Sequence, residues 1–468
     1  MTRPGIVRVF PSLVGTLPLN AGLLFLGRLC SAGTTLVLLA AIGHGRGGEA
    51  LASVAIGMAL GTIVATVSDG GLGSLFVRES IRAAALRDGL WTLLLLIRVV
   101  TVAAMLPVIL IIAPVFGTDT ETVFWAGSGL LFQQAAEMSR SVFIAQGRMH
   151  VAAYHTIIEN LSWLLVTMTL LLDDQPLHVA VAGGAGVLFL SWQAGIVLAL
   201  RAGHLRLRWP SRGLTAATAR QARPFLLFAC VGILYSRLDG LLLAHLAPEG
   251  SIVIVGAFLS AQRLLGAFEY VAESTARALY PNLVHRMGES GFLIKTLRNP
   301  LRGLLAVACV LPGVAVLAGD RIMSFLFGPS LAEYGGLLAA LAIAVPARWV
   351  GQVLGVVLTA TQQQGKRVLA ATAALVITVS VNVALIPAFG VVVALASYLG
   401  ASLLVGGVYL AAVGCETRMF VLKVGGQLLL CSLILVLVII VTSGTSVSVW
   451  LIVLYAFAYG LLAWLVLR

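Results

Sequence analysis

Seven arginines, Arg28, Arg98, Arg140, Arg237, Arg263, Arg277 and Arg348, lie inside stretches of this 468-residue chain apolar enough to cross a bilayer. An arginine at mid-membrane costs at least roughly 2.5–3.5 kcal/mol, so such residues face a protein interior or a wet cavity. Guanidinium groups bind phosphate oxygens in pairs and are weakly hydrated, which suits a partly dry site better than the ammonium of lysine. The whole chain has only three lysines, Lys295, Lys366 and Lys423, and of these only Lys423 falls within an expected span, near its start. The chemistry indicated is recognition of an anion, and a pyrophosphate fits it well.

Depth and local pairing sort the charged residues. At about 1.5 Å of rise per residue, Arg28 lies about 15 Å into its span, Arg237 about 20 Å and Arg263 about 17 Å. Arg348 is equally central, and Arg98 stands about 14 Å from the inner edge of its span. These five are the candidate substrate-binding residues. Arg140 and Arg277 lie nearer the cytoplasmic face, each with an acid on its own helix face: Glu137 before Arg140, and Glu269 and Glu273 before Arg277. Glu137–Arg140 and Glu273–Arg277 read as structural ion pairs, with ligand contact as the alternative. Glu159 has no local partner, and Asp239 points to a different side of its helix from Arg237. Both are candidates for ion coupling, since a carboxyl group exchanges a proton or a cation. The alternative is a salt bridge to an arginine of a neighbouring helix.

Other chemistries find little support. The five cysteines are scattered without a CxxC, and the histidines fall mostly at span ends or in loops, so no metal site is expected. There is no GxxxxGK[ST] phosphate loop, so ATP hydrolysis by that route is excluded. No cofactor is implied.

The elements that carry these residues follow from composition. Hydrophobic residues make up 60% of the chain and charged residues 10%, with a mean hydropathy of +1.04. That is an all-α polytopic membrane protein. A span needs roughly 20 apolar residues. On that measure about fourteen helices are expected, near 18–42, 50–76, 89–114, 122–146, 151–172, 178–200, 224–247, 252–281, 303–319, 335–361, 368–388, 390–413, 419–441 and 446–467. The ninth is the shortest. The first reads as an anchor rather than a removed signal peptide. Alternate loops, beginning with the N-terminal one, hold twenty-one of the 30 basic residues, and the other set holds only Arg46 and Arg321. This is the positive-inside pattern with both termini cytoplasmic. The net charge of +12 is therefore an orientation signal, and nucleic acid is not an expected partner.

The longest polar interruption, Arg201–Arg223, carries six arginines and Pro210. The chain divides there into residues 1–202 (six spans), a basic cytoplasmic linker 203–223, residues 224–415 (six spans) and an extra helix pair at 416–468. Six plus six with a cytoplasmic connector gives two parallel repeats. No outer loop is long enough to form a soluble domain, which argues against a polysaccharide polymerase. Pro107, Pro312 and Pro346 fall within spans, where each permits a kink.

Several stretches resemble bacterial polysaccharide transporters, the O-antigen or oligosaccharide flippases. Ser68–Glu79 (SDGGLGSLFVRE) is similar to the end of that family's second helix. Tyr235–Leu243 (YSRLDGLLL), Leu259–Val271 (LSAQRLLGAFEYV) and Leu279–Leu283 (LYPNL) resemble its seventh and eighth helices. Phe325–Pro346 and Val381–Gly390 (VNVALIPAFG) resemble later landmarks, in order along residues 18–415. The resemblance implies membership of the multidrug/oligosaccharidyl-lipid/polysaccharide exporter superfamily, with two six-helix lobes around a central cavity plus two C-terminal helices. It implies a flippase of the bacterial inner membrane that moves an undecaprenyl-pyrophosphate-linked oligosaccharide from the cytoplasmic to the periplasmic leaflet by alternating access. H+ or Na+ is then the candidate coupling ion, and the polysaccharide polymerase and chain-length machinery are candidate partners. The chain departs from the lipid II flippase subgroup in lacking its clustered first-helix arginines. The alternative within the superfamily is a cation-coupled multidrug exporter, against which the seven basic and six acidic residues of the spans weigh.

Overall fold

The computed structural model describes residues 17–82, 87–202, 205–247, 252–285 and 292–443, with residues 452, 455–456 and 458–463 beyond them. The described chain is helical, and no strand occurs in it. The helices are α1 (Leu17–Asp69), α2 (Leu72–Arg82), α3 (Arg87–Ile112), α4 (Thr120–Ala145), α5 (Met149–Leu172), α6 (Leu177–Arg201) and α7 (Arg212–Leu246). There follow α8 (Ile252–His285), α9 (Phe292–Phe327), α10 (Gly335–Ala342), α11 (Val345–Ala360), α12 (Gln364–Phe389), α13 (Val391–Ala412) and α14 (Cys415–Ser443). Among the described residues, 11 segments are long and apolar enough to cross a membrane. The protein is an all-α polytopic membrane protein.

Several elements differ from the sequence-based expectation, each for a local reason. The first two expected spans are two helices within α1 that meet at a kink at Gly47 (φ 83°, ψ −176°), where the backbone leaves helical geometry. The ninth span is not short. Lys295, Arg298 and Arg302 at one end and Asp320 and Arg321 at the other interrupt the apolar run, yet α9 continues through them for 36 residues, with Pro300 and Pro312 inside. The tenth span is broken between α10 and α11, with Pro346 in the first turn of α11, where its missing N–H costs nothing. α4 is absent from the 11 segments, its apolar face being diluted by Gln133, Gln134, Glu137 and Arg140. Residues 212–223 of the basic linker form the first turns of α7. The expected last span, 446–467, lies mostly outside the described residues.

The helices group into two compact units. The first comprises the chain up to Leu38, Gly61–Ala113 and Phe124–Cys230; the second comprises Leu39–Leu60, Pro114–Val123 and the chain from Val231 onward. In the first unit, Phe76 of α2 meets Trp91 of α3 edge to face, with ring centroids 5.8 Å apart. Leu94, Met138, Val142, Ala199 and Leu205 complete this buried cluster. Between helices in lipid, exclusion of water adds little, so close fit decides association. Gly61 of α1 lies against Gly127 of α4 so tightly that a Cβ at Gly61 would stand 2.6 Å from the Gly127 carbonyl oxygen. In the second unit α12 and α13 pair side by side, α14 runs along α9, and α11 packs on α8 and α13. Apolar side chains such as Leu165, Leu190 and Leu433, each about two-thirds exposed, point away from both cores, as lipid-facing residues do.

Candidate functional site

Each unit holds a cluster of intramembrane charge. In the first unit the centre is Arg140 of α4, buried with 2% of its surface exposed. Its Nη1 donates to Glu159 Oε1 of α5 at 2.9 Å, and its Nη2 donates to the Gln133 carbonyl at 3.2 Å. Glu137 Oε2 stands 3.3 Å from Nε, set there by its i,i+3 spacing. The other oxygen of Glu159 accepts from Ser191 Oγ of α6 at 2.6 Å. His155, one turn before Glu159, has Nε2 within 3.3 Å of the Ser191 carbonyl. Gln133 Nε2 donates to Asn160 Oδ1 at 3.0 Å, and Asn160 Nδ2 returns to the Thr156 carbonyl at 2.7 Å. Three helices are thus tied together by one polar chain. Every charge within it has an opposite charge or several hydrogen bonds, as burial away from water requires.

Arg98 of α3 sits elsewhere in the same unit and has no accessible surface. It is ion-paired with Asp69 at the end of α1, and its Nη1 lies 3.3 Å from Ser68 Oγ. Ser68 Oγ donates to Thr101 Oγ1 at 2.8 Å, and Asp69 Oδ2 accepts from the Gly71 N–H at 3.1 Å. The polar start of the SDGGLG segment is therefore spent on holding α1 against α3. Arg28 is half-buried on α1.

The second unit holds Arg237, Arg263 and Arg348 on α7, α8 and α11. Arg348 gives both sides of its fork to Glu269 of α8, with Nε at 2.6 Å from Oε1 and Nη2 at 3.4 Å from Oε2. Its guanidinium carbon lies 5.0 Å from the ring centroid of Tyr398 on α13, a cation–π contact. The Arg348 and Glu269 side chains keep 14% and 18% of their surface exposed, so the pair is partly accessible. Arg263, half-buried, donates from Nη2 to the Met58 carbonyl of α1 at 3.0 Å. Arg237 is half-buried with no hydrogen bond or ion pair among the described residues. Its Nη2 would be 3.6 Å from a Cβ at Gly266, one turn along α8 from Arg263, and its charge is felt by both Arg263 and Asp239. Asp239 is buried, 1% exposed. It accepts from Gln262 Nε2 at 3.1 Å and from the Gly240 N–H at 2.9 Å. Glu273 is half-buried further along α8, and the Arg277 side chain lies outside the described residues.

Arg263, Gly266, Glu269 or Tyr270, and Glu273 follow at three- and four-residue steps along α8, so helical geometry lines them up on one face. Sequence reasoning found the arginines by their charge in apolar runs. It missed Gln133, His155, Asn160, Ser191, Gln262 and Tyr398. The last of these is the signal most open to detection: an aromatic with a polar tip among the small residues of α13. No group of three or more histidine, cysteine or acidic residues able to hold a metal occurs among the described residues.

No family model matches the chain, and no curated protein matches it. Solved structures do. An inward closed form of the lipid II flippase MurJ matches with a TM-score of 0.73 at 13% identity, over 96% of this chain and 98% of that one. An inward-facing multidrug resistance MATE family transporter of the MOP superfamily matches with 0.63 at 16% identity, over 85% and 99%. A MATE transporter of Vibrio cholerae matches with 0.55 at 16% identity, over 88% and 98%. At these identities the likeness establishes a fold, and the fold is one shared by a lipid flippase and by multidrug transporters of the MOP superfamily.

Proposed function

We propose that this chain is a flippase of the bacterial inner membrane that moves a polyprenyl-pyrophosphate-linked oligosaccharide from the cytoplasmic to the periplasmic leaflet by alternating access. The observation that carries this reading is the charge balance of the second unit. Arg237, Arg263 and Arg348 stand there with Asp239, Glu269 and Glu273; Arg348 is paired with Glu269, and Arg237 has no hydrogen bond or ion pair among the described residues. An unneutralised guanidinium inside a membrane is expensive. It is retained where an anion is to be met, and a pyrophosphate matches the planar fork of arginine. Arg28, from its depth, is a further cargo contact. Arg98, Arg140 and Glu159, closed into ion pairs, serve the frame of the first unit. Asp239, buried against Gln262 and near Arg237, is the residue assigned to coupling by H+ or Na+.

The similar fold of the MATE transporters favours one competing reading, a cation-coupled drug exporter. Such a site wants an acidic lining, whereas Asp239, Glu269 and Glu273 of the second unit are matched by Arg237, Arg263 and Arg348. The test is complementation of a flippase-null strain by variants with Arg237, Arg263 or Arg348 replaced by alanine, at matched protein level. Loss of surface glycan is expected, by about tenfold or more for each lost phosphate contact of about 1.5–3 kcal/mol. Full surface glycan in all three variants, with raised drug sensitivity instead, would select the exporter.

A further inference from the structure

Glu269 occupies the fork of Arg348 that a phosphate group would take. The carboxylate oxygens at 2.6 and 3.4 Å meet two different guanidinium nitrogens, and a phosphate binds arginine in the same two-pronged way. The pair is not sealed. Both side chains keep some accessible surface, unlike Arg140 and Glu159, whose side chains keep 3% and 0%. Arg348 is also held from a third side by the Tyr398 ring, which fixes the plane of the guanidinium while its edge changes partner. We infer that Glu269 is a built-in competitor for the cargo: it neutralises Arg348 when no cargo is bound, yields the fork to the phosphate headgroup on binding, and helps expel it on return. This rests on the pyrophosphate reading above.

The physical need is plain. An arginine left bare between cargo molecules would carry the full cost of an unpaired charge in the membrane, while one that bound phosphate without a rival would hold its cargo too tightly to release it. A carboxylate that exchanges with phosphate solves both problems, because its freed charge repels the bound anion. Arg237, which has no hydrogen bond or ion pair among the described residues, supplies with Arg263 the attraction that draws the headgroup in. Glu269 then sets the affinity and the off-rate.

The experiment uses the full chain in nanodiscs of neutral lipid, with labelled farnesyl pyrophosphate as the probe. Glu269→Gln keeps the shape and removes the competing charge. It is expected to bind the probe about threefold or more tightly than the unsubstituted protein, the usual worth of a partly exposed ion pair, and to release it more slowly. In the double variant with Arg348→Ala the gain should vanish. Should Glu269→Gln fail to fold, Glu269→Asp, too short to span the fork, is expected to tighten binding in the same direction. Probe binding that is unchanged or weaker in the folded variant overturns the competitor role and leaves the flippase reading standing. Absence of probe binding in every protein overturns the pyrophosphate reading and the competitor with it. Displacement by inorganic pyrophosphate supports headgroup recognition, whereas loss of probe binding when phosphatidylglycerol replaces part of the neutral lipid marks ordinary lipid binding and overturns the proposal.

Discussion

Arg140 faces two carboxylates of unequal standing. Glu159 is buried, accepts a second bond from Ser191 and has little access to water. Glu137 leaves 47% of its side chain exposed. Removing Arg140 leaves Glu159 charged, buried and held by a single hydroxyl. Breaking a buried pair in this way costs about 3–5 kcal/mol, whereas losing an exposed partner costs about 0–1 kcal/mol. Arg140→Ala is therefore expected to lower the thermal unfolding midpoint in detergent steeply, and Glu137→Ala to leave it nearly unchanged. Adding Glu159→Gln to Arg140→Ala should restore part of the loss, because the orphaned charge is gone. Equal losses for Arg140→Ala and Glu137→Ala would show that the bond to Glu159 is not what holds α4 to α5.

The helices themselves associate by fit, and the tightest place in the first unit is the crossing of α1 and α4 at Gly61 and Gly127. A methyl group at Gly61 would overlap the Gly127 backbone, with its carbonyl oxygen at 2.6 Å. Gly61→Ala is expected to cost about 1–3 kcal/mol through forced separation of the two backbones. Gly186→Ala on α6, where a Cβ meets nothing within 4 Å, should stay within about 0.5 kcal/mol of the unsubstituted protein. Thermal unfolding of both variants decides it, and equal midpoints would deny the close crossing its role. Apolar runs made most of these helices legible, since a span is a matter of length and composition. Their breaks and extensions were less so: α9 runs on through Arg298, Arg302 and Asp320, charges that a hydropathy window penalises, with the Arg302 guanidinium lying over the Phe420 ring of α14. The site was legible only in part, for a related reason. Glu137 and Arg140 share a helix turn, so their spacing speaks. Glu269 and Arg348 are 79 positions apart, and Glu159 and Arg140 are 19 apart. Such pairs depend on the rotation and register of one helix against another, which no local pattern encodes.

For the whole molecule, the fold does not choose between the two proposed cargo classes, because a lipid flippase and multidrug transporters both have it. Charge placement carries the argument further, both inside the spans and at their ends. The loops that collect Arg201, Arg206, Arg208, Arg212, Arg286, Lys366 and Arg418 are all expected on one side of the membrane. Transport from the cytoplasmic leaflet requires that side to be the cytoplasm, so that the basic rim meets the newly made anionic headgroup first. Cys415 offers a direct test. It is exposed at the start of α14, next to Arg418, while the other four cysteines can be replaced by serine without adding charge. In intact cells a membrane-impermeant maleimide is expected to leave Cys415 unlabelled, and permeabilisation should make it reactive. Labelling from outside would invert the topology, place the basic loops in the periplasm, and contradict the proposed direction of transport.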